Sequence, residues 1–390
     1  MRTTIFLAAA FLTCMSFFAA ASAQSFMGLG DLPGGDFESN AANLSADGRF
    51  VTGGSVVGSG FASEAFLWTQ STGMVGLGNI PGTVGSQGNA VSNDGSTVVG
   101  LYFQTGLDPA RAFQWTSGDG PAAFAPFPAV SEDRSANDLS ADGRTVVGSF
   151  RPGQSEELIA YHWDSNGLTE IGDGLSFAVS ADGSVVVGSL TVQPATSEHP
   201  IEINEAFLWT AGGGPVGLGY LPGGSIFSGA SGISANGQVV VGGSESTLGT
   251  QAFRWTEADG MDGLGDLPGG DFDSLASDTT ADGSIVVGRS DVLGGQLTSS
   301  NDPFIWDEVH GMRNLVDVLT NDYGLGSALV GWNLTEATAI SDDGRVIIGN
   351  GINPDGNSEA WRVVLVPEPS AALLCGLAST VCLAATRRRT

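Results

Sequence analysis

An all-β repeat fold is predicted for this 390-residue chain by three markers that return in the same order along its length. The first is a Ser-x-Asp-Gly turn, found at Ser45–Gly48, Ser92–Gly95, Ser140–Gly143, Ser180–Gly183, Ser234–Gly237, Thr280–Gly283 and Ser341–Gly344. The second is an aromatic-x-Trp unit at Phe66–Trp68, Phe113–Trp115, Tyr161–Trp163, Phe207–Trp209, Phe253–Trp255 and Phe304–Trp306, with Ala360–Trp361 as a degenerate seventh. The third is a Leu-Gly-Asp-Leu-Pro-Gly-Gly box, clear at Leu29–Gly35, Leu77–Thr83, Leu218–Gly224 and Leu264–Gly270. It fades at Ala125–Val130, Ile171–Ser176 and Leu315–Asp322. Successive turns lie 47, 48, 40, 54, 46 and 61 residues apart. Self-similarity at such a period is the signature of a repeat architecture.

Within each repeat the apolar pattern is that of strands. Thr97–Gly100, Val185–Gly188 and Val239–Gly242 are short β-branched runs ended by glycine. The Asp-Gly pair between two such runs makes a tight hairpin, because Asp accepts nearby backbone N–H groups and Gly takes positive φ freely. A variable loop joins the second strand to the third, which carries the aromatic-x-Trp unit. The fourth carries Gly-Met-x-x-Leu-Gly. Four strands in about 50 residues suit one blade of a propeller. A single blade has two apolar faces and is expected to bury them against its neighbours, with the Phe and Trp residues filling the gaps.

Phase predicts how the array closes. Residues 24–366 begin with a fourth-strand sequence, Phe26–Gly30, and end with a third-strand sequence, Glu359–Val363. The N-terminal strand is therefore expected to complete the last blade, giving a seven-bladed β-propeller without free sheet edges. An open or rolled β-solenoid is the competing architecture.

Two terminal segments flank this body. Residues 1–23 read as a signal peptide, with Arg2 ahead of an apolar stretch and Ala21-Ser22-Ala23 before a cleavage point between Ala23 and Gln24. Residues 367–390 hold Pro367-Glu368-Pro369, an apolar run from Ala371 to Ala385 expected to form a hydrophobic helix, and Arg387-Arg388-Arg389. The apolar run is at the short edge of what spans a bilayer, and the Arg cluster would stay cytoplasmic. This order of parts resembles the PEP-CTERM sorting signal of exported bacterial proteins. The resemblance implies a transient membrane stop and processing by an exosortase-type peptidase, with an address at the cell envelope, surface or extracellular matrix.

The Ala-Phe-x-Trp and Leu-Gly-Asp-Leu-Pro-Gly-Gly elements of residues 26–365 resemble the HAF family of extracellular bacterial repeats. The resemblance implies an exported repeat protein. The His of the family signature is replaced here by Glu64, Arg111, Glu205 and Gln251, with Ala-Phe following each time.

Composition narrows function further. The chain has 42 acidic residues and 14 basic ones, every one of them Arg, for a net charge of −28. Such a surface repels phosphate backbones, so nucleic acid is not an expected partner. The three cysteines, Cys14, Cys375 and Cys382, all lie in the terminal segments, so the body has no disulfide framework or thiolate metal site. Gly-x-Gly clusters are not followed by βαβ patterns, and a phosphate-loop Lys does not exist.

Candidate sites are sparse. The turn acids Asp47, Asp94, Asp142, Asp182, Asp282 and Asp343 are spread one per repeat, whereas calcium needs six to eight oxygens in one place. Their role is expected to be turn geometry. The pairs Asp31/Asp36 and Asp266/Asp271 are the better calcium candidates, although no cofactor is expected. His162, His199 and His310 lack ligand spacing, and His162 is expected to be the exposed neighbour of Trp163. No carboxylate pair or activated nucleophile stands out, so no catalytic residue is assigned and the chain is not expected to be an enzyme. Binding is expected at the loops between second and third strands, of which Leu190–Asn204 and Ser290–Asp302 are the longest, near Tyr102, Phe103 and Phe150. Trp332, in the insertion Thr320–Leu334, is expected to cap the closure seam. The favoured function is a surface or matrix binding module for exopolysaccharide or protein partners. The alternative is a hydrolase of extracellular polymer. The mature chain is expected to begin at Gln24; N-terminal mass spectrometry of exported material checks this, and an intact Met1–Ala23 segment would refute it.

Overall fold

A computed structural model describes residues 24–366, apart from 59–61, 105–109, 125, 128–130, 154, 156, 195–201 and 293–300. The expected signal segment with Ala23 lies outside the described residues. So does the tail with Pro367, Glu368, Pro369, Arg387, Arg388, Arg389 and its expected helix, and so does His199. The chain divides into a sheet body, Phe26–Val363, and a unit made of Met1–Ser25 and Val364–Thr390. Of the latter only Gln24, Ser25 and Val364–Val366 are described. Among the described residues no helix is long and apolar enough to cross a membrane.

Hairpin turns and β-branched runs produce a body of sheets whose strands follow chain order. One sheet pairs Ser39–Leu44, Phe50–Val56, Ser63–Thr69 and Gly73–Gly76. The next pairs Gly85–Val91, Thr97–Phe103, Arg111–Thr116 and Gly120–Ala123. Two further four-stranded sheets are Ser228–Ile233 to Gly260–Gly265 and Ser274–Thr279 to Gly311–Asn314. A larger, eight-stranded sheet runs from Ser131–Arg134 to Gly214–Gly217. Its centre is one 13-residue strand, Gly167–Val179. The first half of this strand pairs with Ile159–Asp164 and the second half with Val185–Gln193. This continuity accounts for the shortest turn spacing, 40 residues, and for the missing box there. The last sheet has the order Asn333–Ile340, Val346–Ile352, Ser358–Val364, Ser25–Gly28, so the N-terminal strand lies beside the C-terminal one. The one α-helix among the described residues, Leu315–Asn321, is capped by Asn314, whose Oδ1 accepts from Val316 N at 2.8 Å.

The repeat's glycines and aromatics fit one another. In most second strands Val-Val is followed by Gly, with Val51-Thr52-Gly53 in the first sheet and Ile347-Ile348-Gly349 in the last. A Cβ on Gly100 would collide with the Gln87 carbonyl and sit 2.9 Å from Phe113 Cε1. Gly188 and Gly288 meet Leu175 O and Leu275 O in the same way, with Phe207 and Phe304 beside them. The opposing first strand bulges there, with register shifts such as Gly88/Ala90, Ser176/Ala178 and Ala276/Asp278. The missing side chain lets the bulged backbone and the aromatic ring share one space. Phe66, Phe113, Tyr161, Phe207, Phe253 and Phe304 are fully buried, and Trp361 takes this position in the last sheet. Each such ring contributes about 2–3 kcal/mol on burial. The core clusters join residues of consecutive repeats, as when Val187 and Ala206 pack with Ala230, Val240 and Phe253.

Polar links between sheets also repeat. The Ser that opens a first strand accepts from the third strand of the preceding repeat: Ala65 N to Ser86 Oγ, Ala206 N to Ser228 Oγ and Ala252 N to Ser274 Oγ, at 2.9–3.0 Å. Ser228 and Ser274 then donate to Gly219 O and Gly265 O of the box, both at 2.7 Å. The same device joins the last sheet to the first, with Ala360 N on Ser39 Oγ at 3.2 Å and Ser39 Oγ donating to Gly30 O at 2.6 Å. Arg362 donates to Gly48 O at 3.1 Å and lies 5.4 Å over the Trp68 ring. Trp332 meets Phe26 edge-on at 5.2 Å, over this junction.

The Ser-Asp-Gly turns touch each other as well. Backbone bonds run from Asn93 N to Ala141 O, Ala141 N to Ala181 O and Ala181 N to Ala235 O. Others run from Ala281 N to Asp342 O and from Asp342 N to Ala46 O, and Ala46 N reaches Asn93 Oδ1. Replacing Gly100 by Ala is expected to destabilise the fold by about 1–3 kcal/mol through forced overpacking. Denaturant unfolding checks this, and an unchanged midpoint would remove the shared-space account.

Candidate functional site

The turn acids act within their own turns. In each, the Ser or Thr hydroxyl donates to the acid, as in Ser92–Asp94, Ser140–Asp142 and Ser341–Asp343 at 2.8 Å. The backbone N–H two residues on adds a second bond, such as Ser184 N to Asp182 Oδ1 at 3.0 Å. Hydrogen bonds from Ser96, Ser184 and Ser284 hold Asp94, Asp182 and Asp282 below the ordinary carboxylate range. Asn236 does the same work with its amide oxygen, accepting from Ser234 Oγ at 2.8 Å.

The acids in the box are tied to structure. Asp266 accepts the Ser290 hydroxyl, while Asp31 is raised by burial and by the Glu359 carboxylate nearby. Among the described residues no three His, Cys, Asp or Glu side chains come together as a metal-binding group. Two residues before the buried aromatic, Glu64 Oε1 accepts from Gly78 N at 2.7 Å and Glu205 Oε1 from Gly219 N at 2.9 Å. Glu359 serves Gly30 N in the same way at 2.9 Å. These glycines sit at φ near +80° in the box. The carboxylate thus satisfies a left-handed turn from across the sheet, a role that sequence reading did not assign.

Three expectations need correction. His162 is buried rather than exposed: its ring lies 4.9 Å from the Trp209 ring and Nε2 is 3.2 Å from Gly183 O. It fills a gap between repeats that Phe and Trp were expected to fill. Phe150 is fully buried against Tyr161 and Phe127, so it belongs to the core and not to a binding surface. Tyr102 is likewise buried with Phe113.

The open surface lies at the expected end. Strands alternate in direction, so the loops between second and third strands leave opposite the Ser-Asp-Gly turns. There a groove of about 370 Å³ is bordered by Phe177, Phe227, Glu157, Thr191, Glu202 and Asn204. Phe177 and Phe227 are 39% and 40% exposed, unusual for rings of that size. Phe177 stands at a first-strand bulge, which turns it out of the core. Phe227 is set beside the groove by the bridge between Phe227 and Asn204. Thr191 Oγ1 bonds Asn204 Oδ1 at 3.1 Å and Glu202 Oε1 at 3.2 Å, which aligns the polar wall. A second hollow of about 250 Å³ continues past Leu158, Leu175 and Phe177 toward Arg134 and Asn137. Neither ring drew notice in the sequence, because Phe177 and Phe227 occupy variable positions outside the three markers.

At the opposite end, one pocket of about 120 Å³ is lined by residues of all seven repeats, among them Ala46, Asn93, Ala141, Ala181, Ala235, Thr279 and Asp342. Asp138 and Asp278 also line it, and burial pushes each of their carboxyls up to about 7. Sequence reading passed over both, because they stand two residues before the turn marker rather than in it.

No protein-family model matches the chain, and no curated protein matches it. Solved structures do. Oligogalacturonate lyase in complex with manganese aligns with a TM-score of 0.52 at 13% identity, over 84% of this chain and 88% of that one. The β-propeller domain of the Trilobed protease from Pyrococcus furiosus aligns at 0.49 and 8% identity, over 84% and 93%. TolB from Acinetobacter baumannii aligns at 0.37 and 16% identity, over 60% of this chain and 52%, about half, of that one. The likeness to the lyase, with the repeated antiparallel sheets of four strands, identifies the scaffold as a β-propeller.

Proposed function

We propose that the described sheets are the seven blades of a closed propeller, the eight-stranded sheet counting as two joined through Gly167–Val179. Support comes from the single pocket lined by every repeat and from the turn-to-turn bonds that return from Asp342 to Ala46. On this scaffold the chain is an exported, non-enzymatic binding module of a bacterial envelope, surface or matrix, with its PEP-CTERM-like tail processed by an exosortase-type peptidase. Its ligand is a neutral polysaccharide held in the groove of Phe177 and Phe227.

The observation that carries this reading is the pairing of two outward aromatic rings with Glu157, Glu202 and Asn204 in one groove. A sugar ring offers an apolar C–H face and a rim of hydroxyls. Phe rings take the face, and carboxylate and amide oxygens take the hydroxyl protons. The net charge of −28 opposes anionic polymers, which leaves uncharged glycans favoured.

The test is retention of the full chain on immobilised neutral polysaccharides, beside a glycan array. Phe177→Ala with Phe227→Ala is expected to weaken retention about tenfold or more, since an aromatic contact contributes ~0.5–1.5 kcal/mol beyond its area. Both rings are half-exposed, so the melting temperature should stay within a few degrees. Polymer turnover without retention would reverse the assignment in favour of a hydrolase. Retention unaffected by the double substitution would move the site elsewhere.

A further inference from the structure

We propose that Asp138 and Asp278 are latches between neighbouring repeats, and that they make the pocket at the turn end a pH-responsive element, tightest in acid and loosened toward alkali. The geometry comes first. Asp278 ends the bulge of its first strand and Asp138 opens the short strand Asp138–Leu139, and each reaches across to the first strand of the next repeat. Asp138 Oδ2 accepts from Val179 N and Asp278 Oδ2 from Ile340 N, both at 2.9 Å. Oδ1 of each accepts from the next residue of its own chain, Leu139 N at 2.8 Å and Thr279 N at 2.7 Å. Asp278 thereby ties two sheets together, and Asp138 ties the two halves of the eight-stranded sheet, at the same place where the turns are stitched by backbone bonds.

The surroundings decide the charge. Among the described residues, the ionisable groups facing this pocket from the surrounding strands and turns are Asp138, Asp278 and Asp342; no Arg or His lines it. Asp342 is itself raised, by burial first and then by Asp343. Burial raises Asp138 and Asp278 to about 7, and the Asp138 and Asp342 charges add to the rise at Asp278. A protonated carboxyl still has acceptor capacity for its N–H partners, so the latch survives protonation. Ionisation of both places two like charges in one small pocket that no Arg or His of the described residues lines. Asn43 holds the equivalent place in the first repeat and lines the same pocket, so an uncharged amide fits there.

The direction of the linkage follows. The unfolded carboxyls titrate near 3.9 and the folded ones at about 7. Stability from these groups is fully present below about 4 and is lost as pH rises through about 7, because the unfolded chain gives up its protons first. Thermal melting of the full chain between pH 4.5 and 8.5 is expected to show a fall of several degrees across that range. Asp138→Asn with Asp278→Asn is expected to remove most of the fall and to melt at or above the parent temperature at pH 8.5. A parallel slope in the double variant would overturn the proposal, because the fall would then belong to the general acidity of the surface. If the double variant does not fold, carboxyl ¹³C NMR of the parent chain decides. Two resonances with midpoints near 7 uphold the latch, and midpoints near 4 for both aspartates reject it.

Discussion

One ring laid over one bare glycine, in sheet after sheet, is the contact on which the body of this protein depends. The second strand gives up a side chain, the first strand bulges into the vacated space, and the third strand supplies Phe, Tyr or Trp to close it. Phe253 then belongs to a cluster that includes Val187 and Ala206 of the preceding repeat. A sheet taken alone would leave that surface wet. The high glycine content, 59 residues, is thus part of the packing and not a sign of a loose chain.

Polar groups complete what the rings begin. The first-strand Ser hydroxyl accepts from a third strand and donates to the box of the same preceding repeat, so one side chain fixes three segments. The Glu two residues before the aromatic holds the box glycine in its left-handed turn. The box leucines, such as Leu218 and Leu221, are buried beneath it. What reads as an ornate loop motif is therefore a clasp between consecutive sheets. Its acids are drawn into that clasp, which is where the chemistry of Asp266 and Ser290 lies.

Much of this was legible in the sequence. The Ser-x-Asp-Gly marker gave both ends of a hairpin, and the nearby backbone N–H expected for the Asp is that of the residue two positions on, as at Arg144 and Arg345. The strand character of the Val-Val-Gly runs came from β-branching and needed no tertiary information. Other features were hidden because they depend on which repeat lies alongside. His162 looked exposed from alternation within its own strand, yet Trp209 of the following repeat covers it. Phe150 looked like loop decoration until Phe127 and Tyr161 closed over it. Asp138 and Asp278 differ from Ala90 and Ala178 at equivalent places by a carboxyl alone, and nothing local announces that this carboxyl will line a pocket shared by every repeat. The groove was anticipated as a region, the end bearing the variable loops, but not as the residues Phe177 and Phe227.

The strand Gly167–Val179 sets one junction apart from the rest. Elsewhere a connector outside the sheet separates the last strand of one repeat from the first strand of the next, Pro and Gly at Leu221–Gly224 and a helix at Leu315–Asn321. Here thirteen residues pass from one sheet to the other without a break, hydrogen-bonded on both halves. Any twisting of the two sheets about each other has to bend a paired backbone rather than swing a loop. This segment behaves as a stiff spoke, and Phe177, which sits on it, is carried by the least compliant part of the molecule. A ring mounted there has little orientational freedom to lose in any contact it makes.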